Sequence, residues 1–235
     1  MVKVGLLRLM NYETWISSLG YDREHFIQIN QHRILEEVYK QGASIGAFPV
    51  PLTYDLIALI LNSIESSDYL GIIEALTSIS PVPIRALIGQ GATYTEALIN
   101  VSEVKSQFDD VIEEPTVAVH VDLNDYHEAL KREGPYHAYR VIMKLAEELR
   151  RLAFKVGGLA TYIGGDNVLA FIPINSTDNF VKEILDKADV KVGVGMAPIP
   201  RKAVALSTEA LATIRKEGMK RVIENIHLPR LKKVV

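Results

Sequence analysis

Hydrophobic positions change their period several times along the chain, and each change marks an element. Val2–Leu9 is a short, largely apolar run that predicts a strand. From Arg23 to Gln41 the apolar residues Phe26, Ile27, Ile34, Leu35 and Val38 recur at helical spacing, and Gly42 is expected to stop that helix. Ser44–Phe48 and Leu56–Asn62 read as two strands around a connection that holds Pro49, Pro51, Tyr54 and Asp55. A helix over Ser67–Ile79, a strand over Ile84–Ile88 and a helix over Thr93–Gln107 are expected next. The acidic stretch from Asp109 to Pro115 reads as a linker, and after it the pattern restarts. A strand is predicted over Val117–Asp122, then a long amphipathic helix over Tyr136–Phe154 that Gly157-Gly158 ends. Strands over Leu159–Ile163 and Val168–Ile172 flank Gly164-Gly165-Asp166-Asn167, followed by a helix over Asp178–Lys187, a strand over Val190–Gly195 and a helix over Lys202–Glu217.

The two rounds have the same order, β-α-β-β-α-β, so the expected fold is α+β, with two tandem ferredoxin-like, palm-type units from an internal duplication. The first is placed at residues 1–110 and the second at 116–235. At a shift of 112 residues Tyr54-Asp55-Leu56 aligns with Asp166-Asn167-Val168, and Met10 aligns with Asp122; near the ends of the units Gly89 aligns with Gly195 at a shift of 106.

The formal net charge of the 235 residues is -3, and the basic run Lys232-Lys233 is short, so no broad positive field is present to attract nucleic acid. With no cysteine, disulfides, zinc-thiolate sites and thiol catalysis are excluded. No apolar run reaches the length of a membrane span, and a cytoplasmic protein is expected. An anionic substrate would have to be held locally.

Asp122 ends a predicted strand, and Asp166 follows two glycines in a predicted hairpin. In a split βαβ sheet the two strands are neighbours, so two carboxylates would meet at one sheet edge. Such a pair repels unless a cation lies between its members. Mg²⁺ suits it, because it takes one or two carboxylates and fills its other positions with water and phosphate oxygens. Gly164 and Gly165 would leave room for a bulky ligand, and the helix expected after Leu123-Asn124-Asp125-Tyr126 would offer free amides to phosphate. Each aspartate also has a plain reading, Asp122 as a strand-end cap and Asp166 with Asn167 as ordinary hairpin-turn residues. Asn11, Gln28, Gln31, Arg33 and Asp55 are candidates for base, ribose or phosphate contacts, and Lys202 for a phosphate. His120 shares a strand face with Asp122 and is a candidate general base, alongside Asp125 and Asn124 acting through water.

Several motifs together resemble those of the archaeal GTP cyclohydrolase III family. They are Val119-His120-Val121-Asp122-Leu123-Asn124-Asp125, the stretch Leu145–Leu149 through Ile163-Gly164-Gly165-Asp166-Asn167, and the series Asn11-Tyr12, Trp15, Arg23-Glu24, Gln28, Gln31 and Arg33. The likeness runs over nearly the whole chain, and the family is itself related to nucleotidyl cyclases and GGDEF palm domains. It implies hydrolysis of GTP, with opening of the imidazole ring and release of phosphate, to 2-amino-5-formylamino-6-(5-phosphoribosylamino)pyrimidin-4(3H)-one, an early step toward flavin and deazaflavin cofactors. It also implies Mg²⁺, taken as two ions, K⁺ as an activator, and a homo-oligomer (dimer or tetramer). On this reading Asp122, Asp166 and the Leu123 backbone hold metal, and Asn124, Asp125, Tyr126, Gly164, Gly165 and Asn167 bind substrate. The chain departs from the family at Met10 and Tyr54, where an aspartate is expected, so the metal site is assigned to the second unit. Two rival readings are a nucleotidyl or dinucleotide cyclase and a non-catalytic GTP-binding regulator.

Overall fold

A computed structural model describes residues 1–218 and 223–226; the Lys232-Lys233 run lies outside them. The chain divides into two compact units, Met1–Glu113 and Glu114–Val235. The first contains β1 (Val2–Leu9), α1 (Tyr12–Ser18), α2 (Glu24–Ile45), β2 (Phe48–Pro51), β3 (Leu56–Ile60), α3 (Ser66–Ile79), β4 (Ile84–Gly91), α4 (Tyr94–Ile99) and β5 (Ser102–Glu103). The second contains β6 (Thr116–Leu123), α5 (Tyr126–Glu133), α6 (Pro135–Lys155), β7 (Leu159–Gly164), β8 (Asn167–Phe171), α7 (Thr177–Lys187), β9 (Val190–Ala197), α8 (Pro200–Glu217) and β10 (Ile223–Ile226). The sheet orders are β2-β3-β1-β4-β5 and β10-β9-β6-β8-β7. Both sheets are antiparallel, except that β10 runs parallel to β9. In each the unit's first strand lies at the centre, between the last long strand and the hairpin.

Side-chain alternation sorts β6 onto two faces. Val117, Val119 and Val121 join Ile142, Leu145 and Leu149 of α6 and Phe180 and Ile184 of α7 in one core. Each such side chain stabilises the unit by about 1.5–3 kcal/mol on burial. The opposite face carries Ala118, His120 and Asp122 and is covered by α8. That helix packs close because Gly193 and Gly195 have no side chain: a Cβ at Gly195 would fall 2.1 Å from the Ala203 carbonyl oxygen. In the first unit a Cβ at Gly89 would likewise lie 1.9 Å from the Ala97 carbonyl oxygen.

Several expected elements shift. Gly42 does not stop α2; it is buried within the helix, with Pro49 against it, and the chain turns at Gly46, whose φ is 85°. The strand expected over Ser44–Phe48 therefore starts at Phe48 and runs through Pro49 and Pro51, which an edge position tolerates because no outer ladder needs their amides. The helix expected over Thr93–Gln107 ends at Ile99, where Asn100 Nδ2 donates to the Gln90 carbonyl at 3.1 Å. Helix α1 is an addition to the expected elements. The acidic stretch is no bare linker either. Lys3 is 2% exposed and pairs with Asp109 at 3.2 Å and Glu113 at 2.7 Å, so those acids neutralise a buried cation.

The two units repeat the same backbone bonds. Leu9 N–H donates to the Asp55 carbonyl at 2.9 Å, and Leu123 N–H to the Asp166 carbonyl at 2.9 Å. Met10 N–H donates to Pro83 at 2.8 Å, and Asn124 N–H to Asp189 at 3.1 Å. Asn11 and Asp125, with φ of 58° and 55°, stand before α1 and α5. These bonds match Arg8 with Asp122 and Asp55 with Asp166, which corrects the single shift of 112. That shift would set Ile57 and Leu59, which face the helical core, upon Leu169 and Phe171, whereas Val168 and Ala170 are the core-facing residues of β8. The first unit therefore has an arginine in place of Asp122 and keeps a carboxylate in place of Asp166.

Candidate active site

A cleft of about 570 Å³ opens at the end of the second unit's sheet. Asp122 lies on its floor, opposite Asn167 of β8 on one side and Lys191 of β9 on the other. The carboxylate is buried, yet it is fully engaged: Arg215 from the last turn of α8 donates to Oδ2, and Lys191 Nζ donates to Oδ1 at 3.4 Å. Lys191 is itself steered by Asn124, whose Oδ1 accepts from Nζ while its Nδ2 donates to Asp189 at 2.6 Å.

Asp166 enters the cleft from the hairpin. Gly164 and Gly165 take φ of 107° and 59°, and Asp166 does not have positive φ, so the turn is not type I′. The space beside Gly164 is open, while a Cβ at Gly165 would meet Asn167 Nδ2 at 3.9 Å. Asn167 Nδ2 donates to Asp166 Oδ1 at 2.6 Å, which turns Asn167 Oδ1 toward His120 Nε2 at 3.0 Å. An amide oxygen only accepts, so this network assigns the His120 proton to Nε2. His120 Nδ1 meets Thr208 Oγ1 at 3.2 Å. Burial holds the His120 pKa below its ordinary value, against the Asn167 hydrogen bond and the Asp122 charge, which raise it. His120 does not line the cleft, and both ring nitrogens have partners. This corrects its expected role: it positions Asn167 and, through it, Asp166, and it is not placed as a general base.

Leu123, Asp125, Tyr126 and Asn167 line the cleft. Asn124 acts from behind Lys191. Gly165 accepts from the Tyr162 hydroxyl at 3.2 Å, and the Tyr162 pKa is raised by burial and then by its neighbours Tyr126, Tyr139 and Asp166. Lys202 is displaced from its expected role. It is exposed in the first turn of α8, and thirteen residues of helix, roughly 20 Å, separate it from Arg215. Asn11, Gln31, Arg33 and Asp55 belong to the first unit, while the described lining of this cleft comes from the second. Gln28 and Arg33 are exposed on α2. Gln31 is buried and donates to the Tyr12 hydroxyl; among the described residues its Oε1 has no partner. Asp55 accepts from Thr53 Oγ1 at 2.7 Å.

Sequence reading missed Lys191, Arg215, His127 and Glu128, which also line the cleft. Lys191 could have been found from strand pairing, since it lies directly across from Asp122. Arg215 has no local signal, because only the packing of α8 brings it in.

Four carboxylates (Asp122, Asp125, Glu128, Asp166) against two cations (Lys191, Arg215) leave the cleft a formal charge of -2. A polyphosphate would be repelled without added positive charge. Among the described residues no three His, Asp or Glu side chains gather as a metal cage. Two carboxylates beside an open cleft are nonetheless the donor set that suits Mg²⁺, which draws its other oxygens from water and phosphate.

The family model for GTP cyclohydrolase III matches residues 4–228. A GTP cyclohydrolase III of Saccharolobus islandicus is 31% identical over 223 residues, which is 93% of this chain and 97% of that protein. Those of Aeropyrum pernix and Saccharolobus solfataricus are 31% and 32% identical over 224 residues; the matches cover 92% and 93% of this chain, and 93% and 97% of theirs. Among solved structures, the GGEEF domain of a Vibrio cholerae diguanylate cyclase has a TM-score of 0.42 at 12% identity, over 47% of this chain and 83% of that one. A bacterial light-regulated adenylyl cyclase has a TM-score of 0.37 at 11% identity, over 94% and 84%. The chain belongs to the GTP cyclohydrolase III family.

Proposed function

We propose that this chain hydrolyses GTP at the cleft of its second unit, opening the imidazole ring and releasing phosphate. The product is 2-amino-5-formylamino-6-(5-phosphoribosylamino)pyrimidin-4(3H)-one. Water adds at C8 and the C8–N9 bond breaks, so the formyl group stays on the former N7; two further waters take the γ- and β-phosphoryl groups, which leave as two phosphate ions. The observation that carries this reading is the pairing of Asp122 and Asp166 in one cleft with two cations at hand.

Asp122, Asp166 and the Leu123 carbonyl would hold Mg²⁺, two ions in all, with K⁺ as an activator. When bound, Mg²⁺ neutralises the triphosphate and lowers the pKa of water. Tyr126 and the first amides of α5 face the nucleotide, and Asp125 prepares them by taking the left-handed turn that starts the helix. Of the three bases considered from sequence, Asp125 is the carboxylate that lines the cleft, and we assign it the proton of the attacking water. The family resemblance favours a homo-oligomer, and the lack of a membrane-length apolar run favours the cytoplasm. The repeated backbone bonds support an internal duplication as the origin of the two units.

The test is to incubate the protein with GTP, Mg²⁺ and K⁺ and identify the product by mass. A formamidopyrimidine monophosphate with loss of the guanine absorbance is expected. A cyclic nucleotide, which keeps that absorbance, would assign the cleft to a cyclase, and unaltered GTP would leave a binding protein.

A further inference from the structure

We infer that Arg215 and Lys191 are built-in counterions that hold the metal's place on Asp122 and leave it for the phosphates when metal and nucleotide arrive together. The inference rests on the reading of Asp122 as a metal ligand and goes beyond it to how that site is filled.

The burial of the three groups is unequal. The Asp122 side chain is 4% exposed, that of Lys191 23% and that of Arg215 52%. A carboxylate so buried needs a cation at all times, because a charge out of water without a partner is strongly destabilising. Here the partners come from outside. Arg215 reaches in from the final turn of α8, and Lys191 from β9 under the guidance of Asn124. Both are long, flexible side chains, Arg215 half-exposed and Lys191 partly so, whose charged heads can move while the backbone stays fixed.

A divalent ion on Asp122 would meet both cations at close range, so a metal arriving alone displaces them only as far as the other carboxylates of the cleft, Asp125, Glu128 and Asp166, where they still repel it. A metal arriving with a triphosphate brings acceptor oxygens at the same moment. Arg215 would pair with them in forked fashion and Lys191 as a point charge. Metal and nucleotide are then positively coupled, and linkage requires the coupling to be the same in both directions.

The experiment uses the full chain with Mn²⁺ as the probe, titrated by electron paramagnetic resonance with and without guanosine 5′-(β,γ-imido)triphosphate. In the parent protein the analogue is expected to tighten Mn²⁺ binding at least about tenfold, within the usual range of site-to-site coupling. Arg215→Met keeps most of the stem and removes the charge. It should bind Mn²⁺ alone roughly fivefold or more tightly, and the analogue should then tighten it further by only about threefold. Lys191→Met should move both quantities the same way and serves if the first variant fails to fold. A merely structural residue would not tighten metal binding when removed.

Asp122→Asn is the control and should lose Mn²⁺ binding. If it binds Mn²⁺ normally, the ion lies elsewhere, and the reading of the site falls together with this inference. If it loses Mn²⁺ while both methionine variants bind the ion alone no more tightly than the parent, the counterion role alone is overturned.

Discussion

The two units present the same sheet edge with different chemistry. In the second, the first strand brings Asp122 to the edge and the hairpin brings Asp166, with Asp125 starting the next helix. In the first, the matching places hold Arg8, Asp55 and Asn11. The backbone frame is the same, down to the bonds Leu9 to Asp55 and Leu123 to Asp166. The lesson is that the frame supplies positions and single side chains decide what a position does. An arginine where a carboxylate would stand turns a metal-attracting pair into a neutral one. The proposal that metal binds in the second unit alone thus rests on Arg8, and the loss of an aspartate at Tyr54 does not enter, because Asp55 is the structural match to Asp166.

The contrast can be broken most forcefully at the carboxylates. Asp122→Asn and Asp166→Asn should each lower Mg²⁺-dependent GTP turnover by roughly 10³-fold or more, the several kcal/mol that metal-based charge stabilisation supplies. Steady-state assays with EDTA-treated and Mg²⁺-restored protein check this, and near-normal rates in both variants would remove the site from the second unit. Asn167→Ala should reduce turnover by about 10–100-fold, the usual effect of a group that orients a metal ligand. Its thermal unfolding should stay close to the parent's, which separates lost orientation of Asp166 from lost fold.

Packing tests the shared frame. Gly195→Ala and Gly89→Ala each drive a Cβ into a helix carbonyl and should destabilise the protein by about 1–3 kcal/mol, read by urea unfolding. Only Gly195→Ala should also raise KM for GTP, because it displaces the helix that carries Arg215. The smallest effect is expected at Asp55. Asp55→Asn should leave the Mg²⁺ concentration for half-maximal rate within about twofold, as for surface changes away from a key interaction. A shift as large as that of Asp166→Asn would put metal in the first unit as well.

Much of this was legible in the residues. The order of strands and helices follows from hydrophobic period, and Asp122, Asp166, the two hairpin glycines and the family motifs stood out as local patterns. The exceptions have physical causes. Gly42 looked like a helix stop but serves packing against Pro49, and a glycine's role depends on what lies beside it. His120 looked like a base because it shares a face with Asp122, but the partners that occupy it, Asn167 and Thr208, lie 47 and 88 residues away. Lys202 carried the right charge at the wrong end of its helix.

By itself the sequence determined the two rounds of elements, the absence of thiol chemistry, and the pair of acids that strand order would bring together, since these depend on local periodicity and residue type. Tertiary structure decided the match between units, because strand register is set by which face is buried and by backbone bonds between distant segments. It also decided the state of Asp122: a cation from the end of α8 and another from the adjoining strand reach the carboxylate only once the sheet and helix have packed, and no spacing along the chain encodes that meeting.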